Sequence, residues 1–130
     1  MPWLVRKAMS QLYPHTDELP GVEDCDLAGF LRKFKRETTP LMWAGVTAGA
    51  LAYHASPALT VKVPLPAFLL PRGLADKHAH RVATTDFYLL RQAILLVKLP
   101  AGMLWGGHPE VRRKLGLEPL AADPGTWRTT

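Results

Sequence analysis

Cysteine is nearly absent from these 130 residues, with Cys25 the one example. That excludes an internal disulfide and any all-cysteine metal site. Glu23, Asp24 and Asp26 stand beside it, and their charge opposes a thiolate, so the thiol reads as inert. Charge of either sign is missing from Thr38 to Val61, "TTPLMWAGVTAGALAYHASPALTV". Also missing are a nucleophile elbow, a zinc-protease helix, a phosphate-cradling glycine loop and paired carboxylates in apolar surroundings. "GGHPE" is too short a glycine run to hold a phosphate. The acids gather at 17–26, a polar stretch where nothing raises a carboxylate pKa to a useful value. The expectation is a chain without catalytic residues and without a cofactor of its own.

What is present begins with proline. Twelve prolines are roughly twice the average usage, so helices are expected to be short and often interrupted. Hydrophobic residues make up 48% of the chain, crowded into 41–71 and 87–105. The net charge of +5 attracts anionic partners, whether a membrane surface, an acidic protein face or nucleic acid. The opening "MPWLVRKAMSQLYPHTDELPG" reads as neither a secretory nor a twin-arginine signal. The expected location is therefore the cytoplasmic side of the inner membrane, peripheral or monotopic.

Periodicity predicts a mainly α domain over 1–130. It divides into amphipathic basic helices at 1–37, an apolar helical hairpin region at 38–107, and a short helix with a tail at 108–130. A first helix starts at Pro2 and stops before Pro14, with Trp3, Leu4, Ala8 and Leu12 as its apolar side. A second, capped by Asp24 or Asp26, carries Leu27, Phe30, Leu31 and Phe34 at helical spacing, with Arg32, Lys33, Lys35 and Arg36 opposite. A third runs from about Leu41 to Ser56, where Pro57 ends it. "PALTVKVPLPAFLLPRG" holds too many prolines for a helix and is expected to be extended or turning. A fourth helix starts near Thr84 or Thr85 and reaches Leu99, with "AGMLWGG" as its continuation past a proline kink. A last short helix lies in "HPEVRRKLG", closed by Gly116.

Length decides how the apolar stretch can meet a bilayer. Sixteen residues of helix span about 24 Å, whereas a hydrocarbon core needs about 30 Å. Basic flanks at both ends favour a hairpin returning to one side over a single crossing. Burial against a larger subunit is the remaining alternative. Gly45 and Gly49, extended by Ala48 and Ala52, form a smooth side for close helix packing, with Leu90, Ile94 and Val97 as the expected fill. Arg91 and Lys98, seven apart, form one basic stripe. With the cluster Arg32, Lys33, Lys35 and Arg36, they are the expected contacts to lipid phosphates or partner carboxylates.

Histidine supports a second function class, a small haem- or metal-binding electron carrier. His78 and His80 are two apart, on one side of an extended segment, with Asp76 as a third group, and His54 lies in the apolar helix. Lys77 and Arg81 oppose a bound cation there. A basic loop and a core histidine bonded to a carbonyl are the ordinary alternatives. Nucleic-acid binding is a third class. It wants aromatics interleaved with Lys and Arg, whereas these sit among aliphatic residues, so no nucleic-acid partner is expected.

The combination of "LPGVEDCDLAGFLRKF", "VPLPAFLLP", "HAHRVATTDFYLLRQ" and "DPGTWR" resembles small bacterial proteins that accompany flavoprotein dehydrogenases of the glucose–methanol–choline type. The resemblance implies an accessory subunit that helps a larger oxidoreductase fold, dock on the membrane or reach an apolar substrate. It brings no site residue with it.

Overall fold

A computed structural model describes residues 2–119. The chain is mainly helical, with seven α-helices and no strand among the described residues. Pro2 opens α1 (Pro2–Leu12), whose buried side is Leu4, Val5, Ala8 and Met9. Trp3, expected on that side, is instead exposed. A turn follows, closed by Leu19 N–H on the Thr16 hydroxyl (3.0 Å), and then a 3-10 turn at Val22–Cys25. Asp26, in the left-handed region at φ 53°, accepts from Gly29 N–H (3.3 Å) and starts α2 (Leu27–Glu37). Asp24 instead accepts from Gly21 N–H (2.9 Å).

Thr39 caps α3 (Pro40–Ala55) by accepting from Met42 N–H (3.1 Å), and Pro40 takes a first-turn position where its missing N–H costs nothing. The proline-rich connection is less extended than its composition suggests. It contains α4 (Pro57–Thr60) and a 3-10 turn at Ala67–Leu69, because Pro57 starts a helix as readily as it ends one. The largest departure is α5 (Arg72–Ala83), which replaces the basic loop expected around His78 and His80. Pro71 precedes it, and Ala75, His78 and Val82 form its buried side.

Phe87 precedes α6 (Tyr88–Gly106), one helix of 19 residues that runs through Pro100. It begins later than Thr84 or Thr85, because the Thr85 hydroxyl accepts from Phe87 N–H (3.3 Å) in the preceding turn. His108 caps the short α7 (Pro109–Lys114), and Gly116 follows at φ 74°. The tail "DPGTWR" lies outside the described residues.

α3 and α6 pack directly on each other, and α1 and α5 cover their inner side. The core joins Val5 and Met9 from α1, Val46 and Tyr53 from α3, Val82 from α5, and Ile94 and Val97 from α6. At the α3–α6 seam a Cβ on Gly49 would stand 2.4 Å from the Ala93 carbonyl oxygen and 2.9 Å from Val97 Cγ2. The backbones approach too closely there for any side chain. A Cβ on Gly45 would meet Leu96 at 3.5 Å, an ordinary contact. Ala48 does not belong to the seam: it is exposed, while Ala52 is half-buried against the core. Of the expected fill, Val97 meets Gly49, and Leu90, Ile94 and Val97 all belong to the core.

Candidate functional site

The outward side of the α3–α6 hairpin has almost no polar groups. Leu41, Ala44, Ala48, Leu51 and Ala55 recur at helical spacing along α3, and all are exposed. On α6 the matching exposed residues are Tyr88, Leu95, Leu99 and Met103, with Leu89 at one margin. Leu41 is 83% exposed, Met103 75% and Leu89 69%, far more than a scattered surface leucine requires. No ionised side chain occurs in α3, and α6 contributes only Arg91 and Lys98.

Those two cations stand two turns apart on one side of α6 but in different surroundings. Arg91 is exposed, donates to the Thr85 carbonyl (3.0 Å) and lies 5.9 Å from the centre of the Tyr88 ring. Lys98 is half-buried, in a depression shared with Leu12, Pro14, Asp76 and His80. Lys98 thus lines a depression shared with residues of α1 and α5.

The basic cluster on α2 is divided as well. Arg32 and Lys35 line a groove with Leu31 and Trp43, and the Lys35 ammonium sits 5.6 Å from the Trp43 ring centre. Lys33 faces another depression with Phe30, Phe34 and Glu37. Arg36 is exposed.

Behind the hairpin lies a buried polar cluster. His78 Nε2 donates to the Tyr53 carbonyl (2.9 Å), and Nδ1 accepts from the Thr60 hydroxyl (2.5 Å). A carbonyl only accepts, which fixes the neutral tautomer with its proton on Nε2. His54 Nε2 donates in the same way to the Leu4 carbonyl (2.8 Å), and its Nδ1 is buried without a partner. Tyr53 lies between the two rings, with centroid separations of 5.4 Å to His54 and 4.6 Å to His78. Its hydroxyl donates to Gln11 Oε1 (2.8 Å), and Gln11 donates on to the Ala67 carbonyl (2.8 Å). Burial pushes both imidazoles below their ordinary pKa, so they are held neutral. The Tyr53 phenol is pushed up, chiefly by desolvation.

His54, His78 and His80 do not converge. A helix turns residues two apart to different sides, so His78 is fully buried while His80 is exposed. The expectation of a shared side for that pair is overturned by α5. Among the described residues no three His, Cys, Asp or Glu side chains cluster around one point. Gln11, Tyr53 and Thr60 carry no sequence signal of their own, because α1, α3 and α4 meet only in the fold. Cys25 has its thiol pKa raised, first by burial and then by Asp24. A scan of protein-family models and searches of curated proteins and of solved structures return no match to this chain.

Proposed function

We propose that the chain is a non-catalytic accessory subunit whose α3–α6 face rests on an anionic membrane surface beside a larger enzyme. The observation that carries this reading is the apolar face formed by exposed residues of α3 and α6, with Arg91 the exposed cation of these two helices, on a chain of net charge +5. An apolar face beside basic residues is what an interfacial helix pair needs, because leucines sink while cations stay among phosphates. Arg91, over the Tyr88 ring, supplies that charge at the face itself, and in this reading Lys33 and Arg36 on α2 add to the attraction. The oxidoreductase class of the partner comes from the sequence resemblance alone.

α6 is the one described helix long and apolar enough to cross a membrane. A crossing would leave Lys98 near the bilayer midplane, at a cost of about 2.5–3.5 kcal/mol on insertion scales. It would also strip Leu90, Ile94 and Val97 from the core they share with α1. Lying in the plane keeps that core and buries only what is already exposed.

Co-sedimentation tests the reading. The protein should pellet with vesicles containing phosphatidylglycerol and bind purely zwitterionic vesicles more weakly. Leu99→Glu with Met103→Glu should lower partitioning about tenfold or more, since each large apolar side chain contributes roughly 1.5–3 kcal/mol when fully buried. Retention in the supernatant with both vesicle types would overturn it. Co-purification with a flavoprotein dehydrogenase would identify the partner, and an unrelated partner would remove the oxidoreductase assignment.

A further inference from the structure

A half-open groove of about 360 Å³ separates α1 from α2 and the start of α3. It falls in the lower range of small-molecule sites, roughly 300–1,000 Å³. Trp3, Trp43 and Leu31 supply the large apolar surface, and Arg6, Arg32 and Lys35 supply the polar atoms. The lining has no carboxylate and no neutral hydroxyl or amide side chain. A sugar or a nucleobase would therefore find apolar walls but no neutral donors or acceptors to read its edges. An uncharged hydrocarbon would leave the cations unused.

The three cations are not equivalent. Arg6 donates to Glu23 through Nη2 (2.9 Å) and Nε (3.2 Å), so its charge is already compensated. Arg32 and Lys35 form no ion pair or hydrogen bond among the described residues; Lys35 has only its contact with the Trp43 ring. Both lie one turn apart on the side of α2 that also presents Ala28 and Leu31 to the groove. Two uncompensated cations above an apolar cleft match a ligand with a hydrophobic body and an anionic end.

We propose that this groove binds a single anionic amphiphile, an apolar tail bearing a carboxylate or phosphate that reaches Arg32 and Lys35. The tail packs between Trp3, Trp43 and Leu31, and the head exchanges water for the guanidinium and the ammonium. The site is separate from the α3–α6 face and does not depend on membrane docking.

Calorimetric titration of the full chain with decanoate and decyl phosphate, each below its aggregation concentration, tests the site against decanol. Saturable binding of one equivalent is expected for at least one anion, with decanol about tenfold weaker or more, since hydrogen bonds to charged groups contribute about 1.5–3 kcal/mol. Arg32→Gln with Lys35→Gln should raise Kd about tenfold for that same reason, with the helical circular dichroism unchanged. Lys33→Gln with Arg36→Gln removes the same charge outside the groove and should leave Kd within about twofold, as only screened long-range attraction is lost. Equal weakening by the two pairs would overturn the site in favour of general charge attraction. No saturable binding of either anion, or decanol binding as tightly, would also overturn it. So would binding confined to phosphatidylglycerol vesicles. Leu99→Glu with Met103→Glu should leave anion binding intact, so failure of the groove and failure of the membrane reading give different results.

Discussion

His54 and His78 show how a single residue type can carry opposite meanings until its neighbours are known. Histidine in an apolar helix suggests a ligand, yet each ring here spends Nε2 on a backbone carbonyl, and His78 Nδ1 is taken by Thr60. The carbonyl-bonded histidine is legible as an ordinary core residue, but its partners Leu4 and Thr60 are not, because no local spacing relates them to it. Neutrality in the fold has a pH consequence. Below the ordinary imidazole value of 6.5, the unfolded chain takes up protons that the buried rings resist. The unfolded state then binds more protons, so stability rises with pH across that window. The contribution is intact above about 6.5 and is lost progressively as pH falls below it. Urea midpoints should therefore drop between about pH 7.5 and 5.5. The double variant His54→Asn, His78→Gln should be less stable at the upper pH, with a much flatter dependence. A slope unchanged in that variant would assign the effect to other groups.

Elements were legible where a local rule acts and obscure where packing decides. Asp26 caps α2 at one of the two positions that sequence suggests, and Pro57 separates α3 from α4. α5 was not legible. Its alternation of basic and small residues has weak helical periodicity, and its helicity depends on seating Ala75, His78 and Val82 against the rest of the core. The continuation of α6 past Pro100 through "AGMLWGG" was legible, and the helix ends at Gly106. At the α3–α6 seam, a small-residue pattern of four proved to be one close contact. Gly49 is at the seam, Gly45 has room, Ala52 is half-buried and Ala48 faces outward. Gly49→Ala should then destabilise by about 1–3 kcal/mol, because its methyl meets backbone that cannot rotate aside. Gly45→Ala should be neutral or slightly stabilising, since alanine favours helix. Thermal denaturation of the two variants decides between them, and equal effects would mean that the seam is not set by Gly49.

Taken as a whole, the molecule has a sided construction. α1 and α5 protect the inner surface of the hairpin, while its outer surface keeps Leu41, Leu99 and Met103 in solvent. The uncharged stretch from Thr38 to Val61 therefore serves two surfaces, with Val46, Ala50 and Tyr53 inward and Leu41, Ala44, Ala48 and Leu51 outward. Contact in the membrane plane and a crossing by α6 differ in depth along that helix, which makes the choice measurable. An environment-sensitive label can be attached singly at Tyr88→Cys, Leu95→Cys or Met103→Cys, with Cys25→Ser removing the native thiol. These positions occupy one side of α6 from Tyr88 to Met103, about 22 Å of helix. In-plane contact puts all three at similar shallow depth, so labels should shift to the blue together and be quenched alike by headgroup-region quenchers. A crossing instead puts Leu95 deepest and sends Tyr88 and Met103 toward opposite headgroup layers. A label at exposed His80, on α5 behind the hairpin, should remain aqueous when the face lies flat. A deep Leu95 with shallow ends would exclude the in-plane geometry, whereas uniform shallow burial with an aqueous position 80 is the outcome that this sidedness requires.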